Sequence, residues 1–157
     1  MSNKTTSKLT VRGFIRGQIV DSKTKKIVGD SGWVENKLTN DGLTDLARLL
    51  GAVSGSYVVG YAAVGTQNTA VDMTQTDLVG RINSFRALNL ATSGTATLTC
   101  TASFAGTALA TTYTVAAAGL FKTNSVSSLF ALQTFTGSAW ATGQNFNLTY
   151  QIRFATA

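Results

Sequence analysis

The sequence of 157 residues has no histidine, no proline and one cysteine, Cys100. Without histidine, the commonest general base and the commonest metal-ligating side chain are both missing. One cysteine excludes an internal disulfide and a thiolate metal cluster. Carboxylates are also few. The last is Asp77, so the second half of the chain has none to offer as the acid–base pair of a glycoside hydrolase. Asp72 and Asp77 themselves fall in a Thr/Gln-rich stretch that reads as an exposed loop. Nothing remains from which to assemble a nucleophile and its base, so the inventory predicts a protein that is not an enzyme and carries no cofactor. No apolar run approaches the roughly 20 residues of a membrane span, and Met-Ser-Asn-Lys-Thr-Thr-Ser-Lys lacks the apolar stretch of a leader peptide. The expectation is a protein made in the cytoplasm with no membrane partner.

Charge is scarce as well. Only 13% of residues are charged, against a usual figure of about 25%. The polar surface must therefore come from Thr, Ser, Asn, Gln and Gly, a composition suited to half-exposed strands because β-branched threonine packs well on a pleated surface. Neighbouring subunits could cover such a surface without desolvating many ions. The apolar share of 44% is that of a folded chain with its own core.

What charge there is gathers early. Lys4, Lys8, Arg12, Arg16, Lys23, Lys25 and Lys26 face only Asp21 and Asp30, so the first thirty residues hold +5 of a net +6. These seven cations are the candidate partner-binding residues, and an acidic protein surface is the partner they would suit. The bland alternative is a solvated strand with a lysine-rich turn, which would also deter edge-to-edge aggregation. Phe14 alone is interleaved with them, so stacking on bases has little support and nucleic acid is not favoured as a ligand.

Along the chain, residues 8–20 read as extended, with an alternation at Leu9 and Val11 that Gly13 interrupts. Asp21 to Lys26 reads as a turn, and residues 27–35, with Trp33, as a returning strand. Residues 1–35 thus form a basic N-terminal arm or β-hairpin, and residues 36–157 the domain on which it docks, since a lone hairpin is marginal in water. One amphipathic helix is expected near 41–50, capped by Asn40 or Asp41, with Leu43, Leu46, Ala47 and Leu50 at helical spacing and Gly51 closing it. Strands follow at 57–64, 81–90 and 95–104. In the last of these Thr95, Thr97, Thr99, Thr101 and Ser103 alternate with Ala96, Leu98, Cys100, Ala102 and Phe104, which makes Cys100 a small buried hydrophobe. The cleanest alternation is at the end: Phe146, Leu148, Tyr150, Ile152 and Phe154 against Asn147, Thr149, Gln151 and Arg153. Many period-two strands with one helix and no repeat predict a mainly β fold, a β-sandwich or jelly-roll-like domain with one short helix and an N-terminal extended arm or hairpin.

The stretch Asn36-Lys-Leu-Thr-Asn-Asp-Gly-Leu-Thr-Asp-Leu-Ala-Arg-Leu-Leu-Gly51 resembles the N-x-(I/L)-T-x-x-G-L…L-A-x-L-L opening of a family of small bacteriophage structural proteins. The family's later motifs are matched in order by Tyr61-Ala-Ala-Val-Gly-Thr66, Asp77-Leu-Val-Gly-Arg81, Gly119-Leu-Phe121, Leu129-Phe-Ala-Leu-Gln-Thr-Phe135 and the strand from Phe146 to Phe154. Two positions depart from it: Ala118 and Gly80 stand where relatives carry acidic residues. The resemblance covers roughly residues 33–157. It implies a virion component made in the host cytoplasm, in a family whose members occur as tail, fibre-associated and head-decoration proteins. Small size, a compact β domain, the basic arm and low surface charge favour a capsid decoration or cement protein, with the major capsid protein or other virion proteins as partners. A homo-oligomer is implied too, with a trimer favoured. Tail, neck or fibre-base placement is the alternative. A receptor- or glycan-binding module using Tyr57, Tyr61, Trp140 and Tyr150 is a further one.

Overall fold

The computed structural model describes residues 8–51, 55, 58–82, 85–94 and 96–156. Its strands are β1 (Leu9–Asp21), β2 (Ile27–Asp30), β3 (Val34–Leu38), β4 (Tyr61–Gly65), β5 (Arg86–Ala87), β6 (Asn89–Ser93), β7 (Thr97–Ala105), β8 (Tyr113–Phe121), β9 (Leu129–Trp140) and β10 (Gln144–Thr156), with helix α1 (Asn40–Leu50) between β3 and β4. The strands run in the order β5-β4-β8-β9-β3-β1-β10-β7-β6, every pairing antiparallel, and β2 lies on β1. Only Leu88 separates β5, which pairs with β4, from β6, which pairs with β7. The two ends of the sheet are thus consecutive in the chain, and the sheet nearly closes on itself. β3 makes the opposite corner, pairing with β1 through residues 34–36 and with β9 through residues 37–38. Strands that pass from one sheet to the other at corners are the usual device of a flattened barrel or sandwich, and the mainly β, sandwich-like expectation holds.

The interior is filled from both walls. Ile15 and Ile19 of β1, Phe146, Leu148, Tyr150 and Ile152 of β10, and Cys100 and Phe104 of β7 meet Val64, Leu120, Phe130 and Trp140 of the other wall. Phe104, Trp140 and Phe146 pack their rings edge-on or tilted at 6.0–6.5 Å, the geometry that ring quadrupoles favour. β4 and β8 are buried on both faces, because Leu78, Val71 and Phe85 of the segment between β4 and β5 cover Ala63, Ala117 and Phe121 from outside. This stretch, expected as a plain exposed loop, is therefore half wall covering.

Several local expectations are corrected. Residues 27–35 are two short strands separated by a turn, and Trp33 is exposed in that turn. The strand expected over 57–64 begins at Tyr61, and its first residue lies outside those described. The 81–90 strand is an isolated bridge at Arg81 followed by β5 and the start of β6. Helix α1 spans the predicted turns, but its cap is Thr39, whose hydroxyl accepts from the Gly42 amide at 3.0 Å. The same hydroxyl lies 2.9 and 3.0 Å from the Leu129 and Phe130 carbonyls and can donate to them, which ties the helix start to β9. Asp45, buried on the inner face of α1, lies 2.8 Å from the ammonium of Lys122 just beyond β8.

The largest correction concerns the N-terminal arm. β1 pairs with β10 along its whole length, from Leu9 opposite Thr156 to Asp21 opposite Gln144. Gly13 does not break the alternation, because Gly13, Ile15, Gly17 and Ile19 all face inward. The two glycines leave room that other side chains occupy. A Cβ on Gly13 would meet Asn36 at 1.6 Å, and one on Gly17 would meet the Phe146 ring at 2.4 Å. Residues 9–35 belong to the same sheet and core as the rest, so a boundary at residue 35 divides nothing.

Tyr150 offers a test of the core. It is fully buried, its hydroxyl has no hydrogen-bond partner among the described residues, and burial, aided by neighbouring Cys100, holds its pKa well above the ordinary phenol value. An unpaired buried hydroxyl costs about 1–3 kcal/mol, so Tyr150→Phe is expected to raise stability by about 1 kcal/mol once the lost packing is subtracted. Urea unfolding of the two proteins measures it, and a lower midpoint for the variant refutes it.

Candidate functional site

The outward side chains of β1, β10 and β7 form one broad face. Arg12, Phe14, Arg16 and Gln18 of β1 stand opposite Arg153, Gln151, Thr149 and Asn147 of β10. Those in turn stand opposite Thr97, Thr99, Thr101 and Ser103 of β7. Two of the seven predicted cations lie on this face, and neighbouring strands neutralise both. Arg12 makes a two-pronged ion pair with Glu35 of β3, both bonds 2.8 Å. Arg16 makes another with Asp30 of β2, at 3.0 and 2.6 Å, and Gln18 adds a third bond to that carboxylate at 3.0 Å. The matched fork geometry, rather than charge alone, gives such pairs their direction.

The other five candidates part company. Lys4 lies outside the described residues. Lys8 is exposed just ahead of β1, at the far end from the hairpin tip. Lys23, Lys25 and Lys26 are exposed together in the tip between β1 and β2. The tip is built by Asp21, whose Oδ1 accepts from the amides of Lys23 and Thr24 and from the Thr24 hydroxyl at 2.7–3.0 Å. It is fastened to the turn before β10 by the bond from the Ser22 amide to the Gly143 carbonyl, 3.0 Å. About 40 Å of strand separates Lys8 from this tip, so the seven residues do not form one patch.

The stacking set expected for a sugar site is not assembled. Trp140 and Tyr150 are fully buried, Tyr61 is half-buried against the outer covering, and Tyr57 lies outside the described residues. Instead the aromatic on this outward face is the half-buried Phe14, with the guanidinium of Arg153 4.7 Å from its ring centroid and that of Arg12 5.4 Å away. Beside Arg153 the face dips into a trough of about 450 Å³ lined by Ser93, Thr97, Thr99 and Gln151. The alternation of β7 and β10 already marked Thr97, Thr99, Gln151 and Arg153 as outward, while Ser93 of β6 carried no such signal. What it left open was that the two strands are neighbours and that Arg153 lies against Phe14. Among the described residues no three metal-ligating side chains gather, and no helix is long and apolar enough to cross a membrane.

The titrating groups set a pH range for stability. Hydrogen bonds from Arg16 hold the Asp30 carboxyl well below the usual carboxylate range, those from Arg12 lower Glu35, and those from the Thr24 amide and hydroxyl lower Asp21. A depressed carboxylate contributes stability above its unfolded pKa and loses it as pH falls toward the folded value. Burial pushes the Cys100 thiol up to about 12 from 9.0. A raised thiol contributes below its unfolded pKa and loses that contribution as pH climbs through the folded one. With no histidine between them, the melting temperature is expected to be flat from about pH 5 to pH 8 and to fall on both sides. A scan in constant-ionic-strength buffers checks this; a step near pH 6.5 refutes it.

No family model, no curated protein and no solved structure matches this chain.

Proposed function

We propose that this chain is a non-catalytic structural component of a bacteriophage virion, a capsid decoration or cement protein that stabilises the particle through subunit contacts. The ordered motifs from Asn36 to Phe154 suggest the class. The observation that carries the attachment mode is the division of charge on the surface. Arg12 and Arg16 are neutralised within the chain, the face around them is threonine, asparagine and glutamine, and three lysines stand together at the rigid tip. A face with its ions already paired is one a neighbouring subunit covers with little desolvation, and a cationic tip steers toward an acidic rim. The partners in this reading are the major capsid protein or other virion proteins, and further copies of the chain grouped as a trimer.

The motif residues act as architecture. Asn36 fills the space left by Gly13, Thr39 caps α1, and Leu120, Phe121 and Phe130 are core anchors. Ala118, where the family it resembles carries an acid, is fully buried in β8, and among the described residues Asp45 is a fully buried carboxylate.

The test is the triple variant Lys23→Glu, Lys25→Glu, Lys26→Glu. It is expected to keep the wild-type circular dichroism spectrum and melting temperature and to lose occupancy on purified particles. Unchanged occupancy overturns the attachment mode. Gold labelling of intact particles decides the location, and label at the tail, neck or fibre base assigns the alternative placement.

A further inference from the structure

We infer that the trough beside Arg153 is a binding site for an acidic oligosaccharide, a glycan bearing a carboxylate. Three observations converge there. First, Arg153 is held in place while part of its fork stays available. It lies over the Phe14 ring at 4.7 Å, and its Nη2 donates to Gln151 Oε1 at 2.6 Å. Among the described residues no carboxylate lies within ion-pair distance of it. Arg12, across the strand pair, has its fork filled by Glu35. A pre-oriented guanidinium without a counter-ion is suited to accept a carboxylate through two parallel bonds.

Second, the lining of the trough carries hydroxyls and an amide and, besides Arg153, no charged side chain. Thr97 stands opposite Arg153 and Ser93 opposite Thr97, while Thr99 stands opposite Gln151. Strand spacing sets these groups about 4.8 Å apart across the sheet and about 7 Å apart along it. The Thr99 hydroxyl can donate and accept and the Gln151 amide nitrogen can donate, as sugar hydroxyls require, and the trough of about 450 Å³ has room for a saccharide unit. Third, the platform is rigid. β10 is paired on both sides, by β1 and β7, so the groups need little ordering on binding.

The same features argue against nucleic acid. A polyanion needs a run of cations to track its backbone, and on this face, among the described residues, Arg153 alone stands outside an ion pair. Phe14 is flanked by Arg12 and Arg153 rather than presented for base stacking. The trough lies toward the start of β1 and the lysine tip at its other end, roughly 30 Å away, so a chain attached by the tip would present the trough outward. The inference does not depend on that attachment. It stands or falls in solution with the isolated protein.

The experiment is a titration of the ¹⁵N-labelled full chain with a galacturonate trisaccharide, a sialylated trisaccharide, the neutral galactose trisaccharide and inorganic phosphate. At least one acidic sugar is expected to bind saturably, with amide shifts concentrated at residues 93, 97–99 and 151–155. The neutral sugar should bind about tenfold more weakly, and Arg153→Gln should abolish the difference. Thr99→Val, which keeps the strand preference and removes the hydroxyl, should weaken the acidic sugar severalfold while leaving the melting temperature unchanged. No saturable binding of either acidic sugar overturns the inference. So does equal binding of acidic and neutral sugars, or shifts centred on residues 23–26. Phosphate that matches the acidic sugars in affinity and shift pattern reduces the trough to a plain anion site and also overturns it.

Discussion

Deletion of residues 1–30 is expected to leave no cooperative fold. The segment carries β1, the strand between β3 and β10 in the circuit, and its removal opens the sheet at its most extensive pairing, thirteen residues long. Ile15 and Ile19 leave the core with it, each a loss of about 1.5–3 kcal/mol in burial alone. The removed strand also uncovers the inner surface of Phe146 and strips β3 of one neighbour, which leaves Asn36 and Glu35 without the surfaces they rest on. The two isoleucines alone remove about 3–6 kcal/mol of a typical total of about 5–15 kcal/mol, and loss of the thirteen-residue β1–β10 ladder removes the rest of the margin. The truncated chain should show no sigmoidal urea transition and should aggregate through the bared edges of β10 and β3. A truncated protein that unfolds cooperatively near the wild-type midpoint would show that residues 1–30 are the detachable arm their charge suggests.

Gly42→Ala is expected to destabilise the protein although alanine is the better helix former. Gly42 lies in the first turn of α1, where the helix meets the backbone of β9. A Cβ placed there would come within 2.0 Å of the Phe130 carbonyl oxygen. That oxygen belongs to a paired strand and also accepts from the Thr39 amide at 3.1 Å, so it has little freedom to retreat. Relief requires the helix start to move outward, which strains the cap at Thr39 and the burial of Asp45 beside Lys122. Overpacking of this kind costs about 3 kcal/mol, and the helix-propensity gain returns about 1 kcal/mol. The net loss of about 2 kcal/mol corresponds to a fall of roughly 6 °C in melting temperature for a domain this size. Calorimetry of the variant checks it, and an unchanged or higher melting temperature would show that α1 does not rest on β9 as closely as described.

Both predictions turn on glycines and strand pairings whose weight comes from residues distant in the chain. Gly13 looks like an interruption of a strand because it lacks a side chain. The side chain that fills its place comes from Asn36, more than twenty residues away. Gly42 looks like an ordinary motif glycine until β9 is seen against it. Likewise, Arg12 and Arg16 count toward a basic arm by position, while Glu35 and Asp30 cancel them by pairing. Counting charges along a chain gives the sum over a segment, and the field at a surface depends on which strands lie side by side.

The sequence by itself determined the inventory and the inward and outward faces. The lack of histidine and of late carboxylates, the helix near 41–50, and the alternation of β7 and β10 with Cys100 inside all follow from residue types and a period of two. Only the tertiary structure decided the neighbours: β1 between β3 and β10, residues 86–93 bringing the sheet ends together, Arg153 against Phe14 with Thr97 and Thr99 beside it. The physical reason is that alternation specifies which side of a strand seeks the core, whereas strand order and register are settled by packing between residues far apart in the chain.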